Sequence, residues 1–177
     1  MDLDNIIEGC KKGNPKAQKA LYDMFSQKLF GVCLRYCRCR EDAQDVFQDS
    51  FVKVFNSMDK YKPFGSFEAW LRKIFINQAL NFYRYDKSFS HISTDDIDIP
   101  SEVINNDSFY DEFSSKMILD SIQELPNRQR IIFNMIEIEG NSYDEVASFL
   151  EVSKECVRSQ NFKAKQKLKT LLTDRIT

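Results

Sequence analysis

The sequence predicts an all-α fold: two small helical domains joined by a flexible linker, the C-terminal one of helix-turn-helix (winged-helix-like) type. Three observations carry that expectation. Apolar residues recur at spacings of three and four through most of the 177 residues. No stretch alternates apolar and polar residues for long, as a half-buried strand would. Residues 91–112, HISTDDIDIPSEVINNDSFYDE, hold seven acids, no base, a proline and many turn formers, without sustained helical period. The layout is therefore 1–90, a linker over 91–112 that like charges keep extended, and 113–177.

Each element has its own signal. Residues 15–39 place Ala20, Leu21, Met24, Phe25, Leu29, Cys33 and Leu34 on a shared helical side. Residues 41–56 repeat Ala43, Val46, Phe47, Phe51, Val54 and Phe55 at threes and fours. Residues 66–85 follow with Trp70, Leu71, Ile74, Phe75 and Leu80. SMDKYKPFGS between the last two is a loop by its Pro63 and Gly65. Beyond the linker, 114–124 and 127–138 read as helices flanking Leu125 and Pro126, where proline suits a helix start.

Composition narrows the function. Charged residues make up 29% and hydrophobic ones 42%, as in soluble globular chains. No run of about 18 apolar residues occurs, and the first residues carry acids where a signal peptide needs a basic start, so the cytoplasm is expected. The five cysteines, an odd number, fit a reducing compartment. Cys33, Cys37 and Cys39 cluster, but their spacing is poor for a metal and the single histidine, His91, lies far off; free thiols and no metal are expected. With no Gly-rich phosphate loop, no H-E-x-x-H and no nucleophile beside a base, nothing points to an enzyme, a cofactor or a small-molecule substrate.

The formal net charge of −2 conceals segregation. Residues 1–90 hold 15 bases and 11 acids, and 113–177 hold 10 bases and 9 acids, so the acidity belongs to the linker. It is sharper still in SYDEVASFLEVSKECVRSQNFKAKQKLK. Ser142 and Glu145 form an S-x-x-E capping box that starts a helix, with Val146, Ala147 and Leu150 inward. After the EVS turn, Ser153 can cap a second helix whose stripe is Val157, Ala164, Leu168 and Leu171. That leaves Arg158, Ser159, Phe162, Lys163 and Lys165 outward. A basic second helix in a helix-turn-helix suits the DNA major groove, because its cations release counterions from phosphates and an arginine can pair bidentately with guanine.

LPNRQRIIFNMIEIEGNSYDEVASFLEVSKECVRSQNFKAKQKLK resembles the promoter-binding C-terminal domain of extracytoplasmic-function (ECF) sigma factors. That family's pattern is LP-x-x-x-R, a hydrophobic helix, G-x-S-Y-x-E-[IV]-A, a turn, and a T/C-V-[KR]-S recognition helix. EDAQDVFQDSFVKVF resembles the family's polymerase-binding helix, and FGSFEAWLRKIFINQALNFYR the helix after its promoter-melting loop. The similarity covers 17–87 and 114–172.

The resemblance implies a dissociable initiation subunit that binds core RNA polymerase, through the β′ clamp helices and the β flap, and reads promoter DNA at two elements. Asp45, Gln48 and Asp49 fall on the polymerase-binding surface. Lys60, Tyr61, Lys62, Phe64, Arg72, Lys73, Asn77 and Arg84 fall on the part that opens the −10 element; there bases track phosphates and Tyr61, Phe64 or Phe67 can stack an unpaired base. Trp70 is expected in the core. Arg130, Lys154, Arg158, Ser159, Phe162, Lys163 and Lys165 fall on the part that reads the −35 element, with Arg130 and Lys165 as phosphate contacts. An anti-sigma factor, membrane-anchored in many relatives, is the expected inhibitor.

The chain departs from the family at Asn161, where leucine is usual, at Glu151, where glycine is frequent, and at Asn141, Gln160 and Gln166. A left-handed backbone at Glu151 would cost roughly 1–2 kcal/mol. Two other readings of the residues stay open: a helix-turn-helix regulator that does not join polymerase, and an interaction module that has lost DNA binding.

Overall fold

The computed structural model describes residues 2–62, 65–84 and 112–176, with the side chains of Arg84, 112–114 and Ile176 left aside. Residues 91–111 of the proposed linker, His91 among them, and Phe64 lie outside the described residues, while Glu112 already belongs to a helix. Among those described, all regular structure is helical and no strand occurs. The chain divides into two compact units, residues 1–85 and 86–177.

In the first unit, α1 (Leu3–Lys11), α2 (Pro15–Tyr36), α3 (Arg40–Phe55) and α4 (Phe67–Arg84) pack around one core, with a single 3₁₀ turn at Met58–Lys60. Asn14 starts α2: its side chain accepts from the backbone N–H of Lys16 at 2.9 Å, with Pro15 at the first helical position. The short α1 was not foreseen. It docks Ile6, Ile7 and Cys10 into the core and approaches α2 through Gly9, where a Cβ would stand 2.5 Å from that of Ala17. The α2 face is rotated from the expected one: Ala17, Val32 and Tyr36 are buried with Leu21, Phe25, Leu29 and Cys33, while Met24 is exposed.

The centre of this unit is aromatic. Phe47 and Phe51 of α3 meet Phe75 of α4 edge-on at 5.8 and 5.3 Å between ring centroids. The α2–α3 corner is tied to the end of α4 by Tyr83, whose hydroxyl accepts from the Arg38 backbone N–H at 2.8 Å and donates to Asp42 at 3.1 Å.

The second unit comprises α5 (Glu112–Gln123), α6 (Asn127–Phe133), α7 (Tyr143–Leu150) and α8 (Lys154–Ile176). Ile122 and Leu125 pack on Ala164 and Leu168, joining the start of the unit to its last helix. Arg175 adds hydrogen bonds to the Met117 carbonyl (3.1 Å), the Ser121 hydroxyl (2.9 Å) and the Glu124 carboxylate. The single helix expected over 127–138 instead changes pitch. Asn134–Ile138 is a π turn, in which the Glu139 N–H reaches five residues back to the Asn134 carbonyl at 2.9 Å. Where the pitch changes, the buried Asn134 amide donates to the Arg130 carbonyl at 2.8 Å, alongside the Asn134 backbone N–H. Gly140, at φ 74°, then lets the chain turn back, so that the Asn141 N–H and side-chain amide both reach the Met135 carbonyl.

Candidate nucleic-acid interface

The helix-turn-helix is built by local chemistry. The Ser142 hydroxyl accepts from the Glu145 N–H at 3.2 Å, and the Glu145 carboxylate accepts from the Ser142 N–H at 2.8 Å, completing the capping box. Those Ser142 donors, the backbone N–H foremost, hold the Glu145 carboxyl below its ordinary range. Glu151 closes α7 in the left-handed region (φ 56°, ψ 44°), and the Ser153 hydroxyl accepts from the Cys156 N–H at 3.1 Å to start α8.

Helix α8 buries Val157, Asn161, Ala164 and Leu168, one residue per turn on one side. Arg158, Lys163 and Lys165 are exposed, and Ser159, Phe162 and Lys154 half-buried. The cations nearest α7 and the π turn have protein partners: Lys154 pairs with Asp144 at 2.7 Å, Lys165 with Glu137 at 3.1 Å, and Arg158 lies over the Tyr143 ring at 5.8 Å. Lys163 is outside these pairs.

Arg130 corrects the sequence reading. It is fully buried (0% exposed), and its guanidinium donates to the carbonyls of Gln123 (3.3 Å) and Leu125 (2.9 Å) and to the Asn127 side chain (2.6 Å). It holds the turn between α5 and α6 and offers nothing to a phosphate. Leu125 and Pro126 bend the chain so that these carbonyls point inward, and Arg130, one turn into α6, satisfies them. Asn161, which stands where the family usually has leucine, takes the hydrogen-bonded rather than the loosely packed alternative: it is buried and donates to Glu137 at 2.7 Å and Tyr143 at 3.1 Å. Its place at i+4 from Val157 in the apolar stripe was the available signal.

In the first unit, Asp45, Gln48 and Asp49 are exposed on α3, the two acids on the side away from Phe47 and Phe51. Gln48 also borders a groove of about 650 Å³ between α2 and α3, floored by Phe30, Phe47 and Phe51 and rimmed by Tyr22, Gln44 and Arg40. At the α3–α4 loop, Lys60, Lys62 and Lys73 are exposed, and Tyr61, Arg72 and Asn77 half-buried. Tyr61 packs on Phe67 (4.9 Å) and Trp70 (5.3 Å). Phe67 is buried, stacked on Trp70 and edge-on to Phe25, which removes it as a platform for a base. Phe64 and the Arg84 side chain lie outside the described residues.

Comparison with known proteins decides the family. The family model "Sigma-70 region 2" matches residues 21–89, and "Sigma-70, region 4" matches 115–168. The two together span well over half of the chain, one in each unit.

The chain belongs to the ECF group of the sigma-70 family.

This sigma factor is 26% identical to the ECF RNA polymerase sigma-E factor of Haemophilus influenzae over 171 residues, covering 91% of this chain and 90% of the relative. It is 24% identical to the RNA polymerase sigma-H factor of Pseudomonas aeruginosa, over 91% and 89% of the two chains. Its fold is similar to RpoE in complex with the anti-sigma factor NepR from Bartonella quintana (TM-score 0.55, 20% identity, 88% of this chain and 96% of that one). It also resembles CnrH in complex with the cytosolic domain of CnrY (TM-score 0.52, 22% identity, 98% and 99%). It is an alternative sigma factor: a DNA-binding subunit for transcription initiation.

Proposed function

We propose that this sigma factor divides a promoter between its two units. The observation that carries this is the polarity of α8, whose Arg158, Ser159, Phe162 and Lys163 stand clear of the buried Val157–Leu168 stripe. Arg158 and Ser159 read base edges of the −35 element, Phe162 meets a thymine methyl or sugar, and Lys154, Lys163 and Lys165 bind phosphates. In the first unit Lys60, Lys62, Arg72 and Lys73 track the separated strands at the −10 element. Tyr61 stacks one unpaired base, a contact worth about 1–3 kcal/mol, and Asn77 borders the base pocket. Phe64 and Arg84 join that set by sequence position alone. Asp45, Gln48 and Asp49 dock on the β′ clamp helices of core polymerase, where acids meet a basic surface while Phe47 and Phe51 hold α3 in place.

No helix among the described residues is long and apolar enough to cross a membrane, and the cytoplasm, where polymerase works, is the proposed site of action. An anti-sigma factor, membrane-anchored or not, is the proposed inhibitor. The exposed Tyr22 on the rim of the α2–α3 groove supports a protein partner there. The test is to mix the full chain with core polymerase and genomic DNA and map the transcripts. Co-elution with core and start sites sharing one upstream motif are expected; a chain that neither joins core nor changes where transcripts begin contradicts the proposal.

A further inference from the structure

Three side chains from three elements converge behind the recognition helix. Asn161 of α8 is 1% exposed, and its Nδ2 donates to Glu137 Oε1 on the π turn (2.7 Å) and to the Tyr143 hydroxyl at the start of α7 (3.1 Å). The same Glu137 oxygen accepts from Lys165 at 3.1 Å. Tyr143, bonded at its hydroxyl to Asn161, carries the Arg158 guanidinium over its ring. Each contact opposes a different displacement. Glu137 and Tyr143 approach Asn161 from elements on either side of the turn, so rotating or sliding α8 breaks at least one hydrogen bond and leaves a buried amide unpaired. An apolar residue at this position would pack without naming a register; an amide with two fixed acceptors specifies one.

We propose that Glu137, Tyr143 and Asn161 form a polar latch that seats the recognition helix, and that Glu137 also withholds Lys165 from DNA phosphate. The latch makes Asn161 and Tyr143 positioning residues for −35 selectivity. Glu137 is in addition a brake on affinity, because a lysine shared with a carboxylate must exchange that partner to neutralise a phosphate. Arg158 is coupled to the latch through the ring it rests on, so the base-reading arginine and the seat of its helix move together.

This inference rests on α8 reading the −35 element, and the experiment separates the two. Full-length protein assembled with core polymerase is presented with a promoter duplex library randomised over the −35 element, and binding is measured across a salt series. Arg158→Ala is the reference. It must lose preference at one or two base positions, and if it does not, the assignment of α8 fails whatever the latch does. With that response in hand, Glu137→Gln is expected to tighten binding and to steepen the fall of log K with log salt by up to about one unit. Its amide oxygen can still accept from Asn161, and adding Lys165→Ala should cancel the gain. Tyr143→Phe keeps the ring beneath Arg158 and removes only the hydroxyl. It and Asn161→Leu are expected to flatten base preference roughly three- to tenfold, a fraction of one bidentate contact, with the salt slope unchanged. Thermal melting of each variant separates loss of fold from loss of seating. The latch is overturned if Tyr143→Phe, folded, keeps wild-type base preference, and the brake is overturned if Glu137→Gln leaves affinity and slope unmoved.

Discussion

The two units solve the same problem, holding short helices together, with different materials. The first unit is closed by rings: Phe25, Phe47, Phe51, Phe67 and Phe75 are all buried, and most meet edge-on. The second has a smaller apolar cluster and buries Arg130, Asn134, Asn161 and Ser121 among it. Which rings are buried follows from their spacing at threes and fours along α3 and α4. Buried polar groups are directional, and here they tie the α5–α6 turn and α8 to fixed partners. The difference teaches that the first unit fills its apolar core with rings, and that the second adds buried, hydrogen-bonded groups to its aliphatic one.

The largest effect that would sharpen the contrast is Phe75→Ala. Truncating a ring with 0% exposure, set against Phe47 and Phe51, should cost about 3–5 kcal/mol in urea unfolding followed by a probe in the first unit. A loss below 1 kcal/mol would mean that the rings are not the core. Next comes Arg130→Met, which keeps apolar volume and removes the donors to Gln123 and Leu125. About 1–3 kcal/mol of stability should go with each carbonyl left unsatisfied, while the salt slope of promoter binding by folded protein stays put. A slope reduced by one unit would return Arg130 to the DNA-contacting set.

Ser142→Ala should cost about 1 kcal/mol by removing the cap of α7. The other half of that box is pH-dependent. The Glu145 carboxyl titrates lower in the folded protein than in the unfolded chain, so its contribution is complete above the ordinary carboxylate range and disappears as pH falls through the folded value. The stability gap between wild type and Glu145→Gln should therefore narrow on acidification, and a gap that widens would refute the reciprocal cap. Smallest is Glu151→Gly, expected to stabilise by roughly 0.5–1 kcal/mol because glycine accepts the left-handed backbone that glutamate holds under strain. Any destabilisation would show that the Glu151 side chain contributes more than its backbone costs.

Legibility in the sequence followed the same division. Helices α2, α3 and α4, the capping box, the Ser153 cap and the strain at Glu151 could be read because spacing and local hydrogen bonds determine them. Helix α1 could not: nine residues give too short a periodic signal, and its helicity depends on Ile6, Ile7 and Cys10 finding a core. For Arg130 the resemblance implies a phosphate contact, whereas carbonyls brought together by the α5–α6 turn claim it. The π turn leaves no periodic signature in five residues. Asn161 is legible as a polar residue in an apolar stripe, but its two acceptors, Glu137 and Tyr143, belong to other elements and spacing does not encode them.

The most direct measurement is transcription by the reconstituted holoenzyme on one promoter, as intact duplex and with its −10 region opened beforehand by mismatches. If the first unit opens DNA and the second reads the upstream element, Tyr61→Ala should lose activity on the duplex and recover most of it on the opened template. Arg158→Ala should be impaired equally on both. Equal responses of the two variants to pre-opening, or transcription from the promoter that neither variant alters, would contradict the division of labour between the units.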